Sequence, residues 1–449
     1  MPDISYPIAE RVLANGLHVV VSEDHTVPIV ALNIWVKVGS RDEVQGRTGL
    51  AHLFEHLMFQ GSANVASGEH FSALMAAGGR LNATTWFDRT NYFETVPKGA
   101  LDLALWLEAD RHGRLLDAVT QDNLDNQRDV VKEEKRQRYD NVPYGTALHE
   151  VYATIFPEGH PYQHPTIGSM ADLDAATLTD VRDFFSRHYG PNNSVITLVG
   201  DITPEDGFAA VERYFGGLPA SAVSRDDAIM TPLDPLPEPR RREIHAPVPH
   251  ERLYIAFRLP ADGTADFHAA GLALDILGGL GSSRLVERLV RTEQLTTSAS
   301  AHPMGLAGGV SLGLVSAEMA EGVDPDLVEA IICEELNALI ATGPTPDEME
   351  AALADTERSW LSAMAGLDER ADAISRDAAL FGNPSRINSF IEEVRAITPD
   401  HVQRIAREWL QPHSRAVVAY RPELQTAPDP DSSRAQDTSS PAHAEGALA

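Results

Sequence analysis

Residues 49–59 read GLAHLFEHLMF, and the organisation of the chain follows from them. At 3.6 residues per turn, His52, Glu55 and His56 fall within one arc roughly 100° wide, while Leu50, Leu53, Phe54 and Leu57 gather on the opposite side. One face of this helix is core and the other is a site. Two histidines four apart can present imidazole nitrogens to a single Zn²⁺, and the carboxylate just before the second lies beside the metal without having to ligate it. The motif is H-x-x-E-H, the inverse of the common H-E-x-x-H.

A chain of 449 residues is too long for one ordinary core and calls for two or more domains. Hydrophobic residues make up 43% and charged residues 23%, the composition of a folded soluble protein. The formal charge of −30 argues against nucleic acid and anionic membranes as partners, because both require a basic footprint. A solvated acidic surface accounts for it more simply than an acidic interior that selects basic polypeptides. The lone cysteine, Cys333, rules out an internal disulfide and a cysteine zinc cage, and its place in the apolar run 328–340 marks it as a core residue. The amino terminus, MPDISYPIAERV, has neither a basic nor an apolar leader region, and no run reaches the 18 apolar residues of a membrane span. The expectation is a cytoplasmic protein, or a periplasmic one if Met1 stands in place of a removed leader.

Working outward, residues 17–22 and 28–39 read as strands, the second alternating through Val30, Leu32, Ile34 and Val36. After the central helix come a short helix at 71–77, paired strands at 80–86 and 90–96 turning near Asp88, an apolar helix at 101–116 and a long charged helix at 122–139. Another strand follows at 194–199. Strands and helices mix without regular alternation, which places the fold in the α+β class. The proline- and charge-rich stretch 233–249, LDPLPEPRRREIHAPVP, reads as a linker between residues 1–232 and 250–424. Beyond it the order of elements restarts with a strand at 252–258 and a helix at 269–280. Setting GLAHLFEH beside GLALDILG suggests an internal duplication in which Leu274, Leu277 and Gly278 stand where His52, Glu55 and His56 stand in the first copy. The second half has the scaffold without ligands. Residues 425–449 are poor in apolar side chains and read as a disordered tail.

Two histidines need a third protein ligand, leaving a fourth position for water. In the helix 122–139, Val130 and Val131 mark the buried side; Glu134 falls between them on the wheel, whereas Glu133 lies about 60° outside. Glu134 is therefore the inward carboxylate. His149, His160 and His164, around EGHPYQHP, span a turn without a carboxylate scaffold and are assigned to loop packing or hydrogen bonding.

With these residues in place the chain resembles the M16 metallopeptidase family, which includes pitrilysin, insulin-degrading enzyme and the mitochondrial processing peptidase. The resemblance runs over almost the whole folded chain: His52, Glu55 and His56; R-x-V-V-x-x-E ending at Glu134; GGRLNATTWFDRTNY between them; and SSRLVERL in the second half. It implies two homologous lobes, each a mostly antiparallel sheet packed with helices, together forming half of a clamshell that holds an extended peptide. The peptide is expected to add as a strand along residues 80–85, bound by Asn82, Ala83 and Thr84, with Asn82 and Ala83 nearest the metal. One Zn²⁺ per chain, held by His52, His56 and Glu134, would lower the pKa of its water to about 7, and Glu55 would act as general base. Gln127, one helical repeat before Glu134, is a candidate hydrogen-bond partner for the ligands, although family members often carry an acid there.

A departure from the family pattern concerns substrate binding. Members complete in one active unit carry an Arg and a Tyr seven residues apart after the S-S-R-L segment, and here Val290 and Thr297 occupy those positions. Arg291 is one residue out of register, and Tyr254 and Tyr420 are too distant in sequence. The implied protein is a zinc-bearing endopeptidase subunit acting on short or unfolded peptides, with a homologous zinc-free partner supplying Arg and Tyr. The alternatives are a homodimeric peptidase and a non-catalytic structural subunit of a larger complex.

Overall fold

The computed structural model describes residues 4–221 and 232–423, so the segment expected to be a disordered tail lies outside the described residues. The strands of the first half are β1 (Ala9–Val12), β2 (His18–Glu23), β3 (Ile29–Val36), β4 (Arg80–Thr85), β5 (Thr90–Pro97) and β6 (Ser194–Gly200). Those of the second are β7 (Arg240–Ala246), β8 (Arg252–Leu259), β9 (Thr296–Met304), β10 (Ser311–Met319) and β11 (Ala416–Pro422). The helices that matter for the site are α1 (Leu50–Leu57), α2 (Glu69–Ala76), α3 (Leu101–Arg114), α4 (Gln121–Lys135), α5 (Ala147–Ile155), α6 (Ala265–Leu274) and α7 (Leu367–Phe381).

The first sheet runs β1-β2-β6-β3-β5-β4 and the second β7-β11-β8-β10-β9. In each, one parallel pair (β2 with β6, β7 with β11) is followed by antiparallel pairs out to an edge strand, β4 or β9. Apart from β1 the two sheets therefore have the same connectivity, as an internal duplication requires. The fold is the expected α+β pair of mostly antiparallel sheets packed with helices.

The halves exchange helices. α5, from the first half, packs on β7, β8 and β11 of the second sheet, while α7, from the second half, packs on β3, β5 and β6 of the first. At the centre of the latter contact, Asp372 Oδ1 accepts hydrogen bonds from Asn33 Nδ2 (3.2 Å), Trp35 Nε1 (2.7 Å) and Asn91 Nδ2 (2.8 Å). The halves are thereby tied by partly buried polar groups as well as apolar packing.

The reading of 233–249 as a linker needs correction, because it contains β7. Among the described residues this strand pairs only with β11, and Arg240, Arg241, Arg242 and Glu243 are exposed along it. An edge strand of this kind is held by main-chain pairing and shows no apolar alternation, which is why its sequence resembles a linker. Arg241 is anchored through ion pairs with Asp326 (2.7 Å) and Glu329.

Candidate active site

α1 is rotationally fixed by Ala51, Leu53, Phe54 and Leu57, which pack with Val36, Tyr92, Leu124 and Val131 in one apolar cluster. Its entry is equally constrained. Gly49 has φ +86°, and a Cβ there would stand 2.7 Å from the Ile167 carbonyl oxygen. The buried Glu43 carboxylate accepts the N–H groups of Gly49 (2.9 Å) and Ala51 (2.7 Å), which the helix itself leaves without partners. His52, Glu55 and His56 consequently face α4 and β4.

α4 begins at a Thr120/Asn123 capping box, continues past Lys135 as a π-turn (Arg136–Asp140), and presents Glu134 to both histidines. Glu133 is 53% exposed and bonded to Arg136 and Gln137, whereas Glu134 is 15% exposed. The choice between the two carboxylates agrees with the helical wheel, although one marker was misread: Val131 is buried but Val130 is 42% exposed.

Glu134 Oε2 lies 3.7 Å from His52 Nε2 and 3.4 Å from His56 Nε2. Two ligands bound at about 2.0–2.1 Å to a tetrahedral ion stand about 3.4 Å apart, so this donor set fits one zinc. Burial, aided by His56, pushes His52 down to about 4, which keeps it neutral as a ligand must be. The contact with His56 holds Glu134 below the usual carboxylate range against the effect of burial. Arg138 Nη1 takes the other oxygen, Oε1, at 2.7 Å. Burial raises the Glu55 carboxyl, and the hydrogen bond its Oε2 accepts from Thr85 Oγ1 (2.5 Å) opposes that rise.

These side chains open on a cavity of about 670 Å³. Asn82, Ala83, Thr84 and Thr85 of β4 line it, and β4 pairs with β5 alone, so the main chain on its other side is free of strand partners among the described residues. Gln127 also lines the cavity, but its amide donates to Asn126 Oδ1 (2.9 Å) rather than to a residue of the cluster. Tyr139, His149 and Tyr152 line it as well. The assignment of His149 to a loop is therefore corrected: it lies in α5 and faces the cavity. The period of Leu148, Val151, Tyr152 and Ile155 is helical and was the available signal.

A second set of metal-type ligands, His70, Glu94 and Glu108, converges in the core behind α1. There the cation is a side chain. Arg111 binds Glu108 through Nε (3.0 Å) and Nη2, and its guanidinium stacks 4.6 Å from the Phe59 ring centroid and 4.5 Å from that of Tyr92.

The second half has a counterpart cavity of about 360 Å³, whose α6 wall presents His268 and Leu272 and continues to Asp275. Leu274, Leu277 and Gly278, which stand at the ligand positions when GLALDILG is set beside GLAHLFEH, are instead buried in the core. α6 is apolar around most of its circumference, so no wheel could choose its outward face.

Residues 18–168 match the family model described as insulinase (peptidase family M16), and residues 175–355 match that of the peptidase M16 inactive domain. The zinc protease PqqE of Helicobacter pylori is 33% identical over 301 residues, which span 66% of this chain and 66% of that protein. An uncharacterized zinc protease of Streptomyces coelicolor is 25% identical over 415 residues, 90% of this chain and 87% of that one. The crystal structure of a protease from Helicobacter pylori superposes with a TM-score of 0.85 at 27% identity, covering 93% of this chain and all of the other. With these two family models matched over residues 18–168 and 175–355, the chain belongs to the M16 peptidase family.

Proposed function

We propose that this chain is a zinc-dependent endopeptidase that hydrolyses short or unfolded polypeptides laid as an added strand along β4. The observation that carries the reading is the convergence of His52, His56 and Glu134 on one point beside the Glu55 carboxylate, in a cavity bordered by an unpaired sheet edge. Zinc, when bound by those three side chains, supplies a Lewis acid that polarises the scissile carbonyl and acidifies water. Glu55 takes the proton of the attacking water and returns it to the leaving amine. Thr85 holds one oxygen of Glu55, so the other is the one oriented for proton transfer. The main chain at Asn82, Ala83 and Thr84 pairs with the peptide backbone, which secures an extended chain without demanding a particular sequence.

The proposal extends to a pair of chains. Among the described residues, the cavity lining runs from His52 to Ile167 and includes nothing from the second half. Arg291 pairs with the neighbouring Glu287 (3.1 Å), and Thr297 Oγ1 bonds the Glu318 carbonyl (3.4 Å). A homologous partner that brings an Arg and a Tyr to the cavity would complete it. The test measures zinc stoichiometry and cleavage of a quenched fluorescent peptide by the wild-type chain and Glu55→Gln, each alone and mixed with any co-purifying homologue. Zinc near one per chain, with partner-dependent cleavage that Glu55→Gln abolishes, is expected. Full activity of the isolated chain would remove the partner, and bound zinc without cleavage in any pairing would leave a structural subunit.

A further inference from the structure

We propose that His149 is a substrate-binding residue that hydrogen-bonds the outer backbone edge of a peptide lying along β4. The proposal rests on the peptidase reading and extends it to an element that the second lobe positions. A strand added to β4 turns alternate N–H and C=O groups toward its partner and the rest away. Inside a cavity the groups turned away lose water and need new partners.

The first turn of α5 provides one. α5 is seated on β7, β8 and β11, so it reaches the cavity from the second sheet while β4 belongs to the first. Neither ring nitrogen of His149 has a hydrogen-bond partner among the described residues. The ring of Tyr139 packs beside it, centroids 4.8 Å apart, and limits its rotation. Several other polar groups of the lining are already engaged: Thr84 with Asn91, Thr85 with Glu55, Gln127 with Asn126 and Arg138 with Glu134. Burial, reinforced by Lys135, pushes His149 down to about 4, so at neutral pH the ring has one donor and one acceptor. That is the complement of a peptide backbone, which alternates the same two groups.

The experiment compares wild type with His149→Ala and His149→Gln, the latter restoring a donor and an acceptor. With a quenched fluorescent peptide, His149→Ala is expected to raise KM roughly tenfold while kcat changes less than twofold, and His149→Gln to recover most of the loss. In parallel, a fluorescein-labelled unstructured decapeptide is titrated by anisotropy into Glu55→Gln protein with and without His149→Ala, and melting curves and zinc content confirm that the variants are folded and loaded. Unchanged KM and unchanged peptide affinity overturn the proposal, as does a loss confined to kcat. If the wild type cleaves nothing even when mixed with its co-purifying homologue, but the Glu55→Gln protein binds the decapeptide in a His149-dependent way, the peptidase reading fails and this contact stands. If the decapeptide does not bind at all, both fall.

Discussion

Thr85 of β4 donates its hydroxyl hydrogen to Glu55 of α1, so the proposed general base is held by the strand proposed to receive the substrate. Glu55 is a long side chain with three rotors, and holding one oxygen restricts them all. Thr85→Val keeps the shape and removes the donor. It should lower kcat about tenfold with little change in KM, whereas Thr85→Ser should keep most of the activity. Steady-state kinetics on one quenched peptide check this, and equal activity of Val and Ser variants would sink it.

Arg138 and Glu134 make the second test. The guanidinium holds the carboxylate oxygen that does not face the histidines, at 2.7 Å, while itself lying 71% exposed. Groups that orient a ligand in this way typically alter metal affinity about 10–100-fold. Arg138→Met should therefore weaken zinc binding by about tenfold in competition with a chelator yet still bind one zinc at saturation. Glu134→Gln should fall well below one zinc per chain under the same conditions. Chelation of the wild type should abolish cleavage, and added zinc should restore it.

How much of this was legible in the sequence differs from residue to residue. His52, Glu55 and His56 lie within five positions on one amphipathic helix, so helical geometry alone places them together. Glu134 was reachable because α4 is regular from its cap to its last turn. His149 was not, since it depends on α5 crossing to the second sheet, and no local period encodes where a helix docks. β7 escaped for a related reason: its pairing lies in the main chain, and its side chains are those of a solvent-facing edge. The outward face of α6 was hidden by helix walls that are apolar on nearly every side.

The buried cluster behind α1 predicts a large stability effect. Burial and the neighbouring Glu108 hold the Glu94 carboxyl well above the ordinary range. Burial opposes ionisation of Glu108 too, but Arg111, His112 and His70 outweigh it and hold that group well below. The cluster thus carries an ionised Glu108 matched to Arg111 and a protonated Glu94 beside it. Arg111→Met removes the cation and leaves the buried Glu108 carboxylate without it, an arrangement that typically costs about 3–5 kcal/mol. Urea unfolding should register a loss of this size, and the double variant Arg111→Met/Glu108→Gln should recover much of it. A loss below about 1 kcal/mol would mean that the pair is far better solvated than its burial implies.

Asp275, at the end of α6, carries the pH dependence that is easiest to isolate. Burial, with the like charge of Asp355 adding to it, raises its carboxyl to about 7 from an ordinary 3.8. A group whose folded value is raised contributes its full stability below the unfolded value and loses it as pH rises through the folded one. Below about pH 4 Asp275 is neutral in both states. Between there and about pH 7 the unfolded chain ionises while the folded chain retains its proton, and stability drains away; above that range the loss is constant. The shift corresponds to at most about 4 kcal/mol, and partial exposure reduces this to about 2 kcal/mol. Asp275→Asn cannot ionise, so it should be more stable than wild type by about 2 kcal/mol at pH 8, with the advantage shrinking toward zero as the pH falls to about 4. Urea midpoints for both proteins across that range decide the matter. Parallel curves would mean that the carboxylate finds solvent in the folded state, because only a difference between folded and unfolded ionisation can make the two curves diverge.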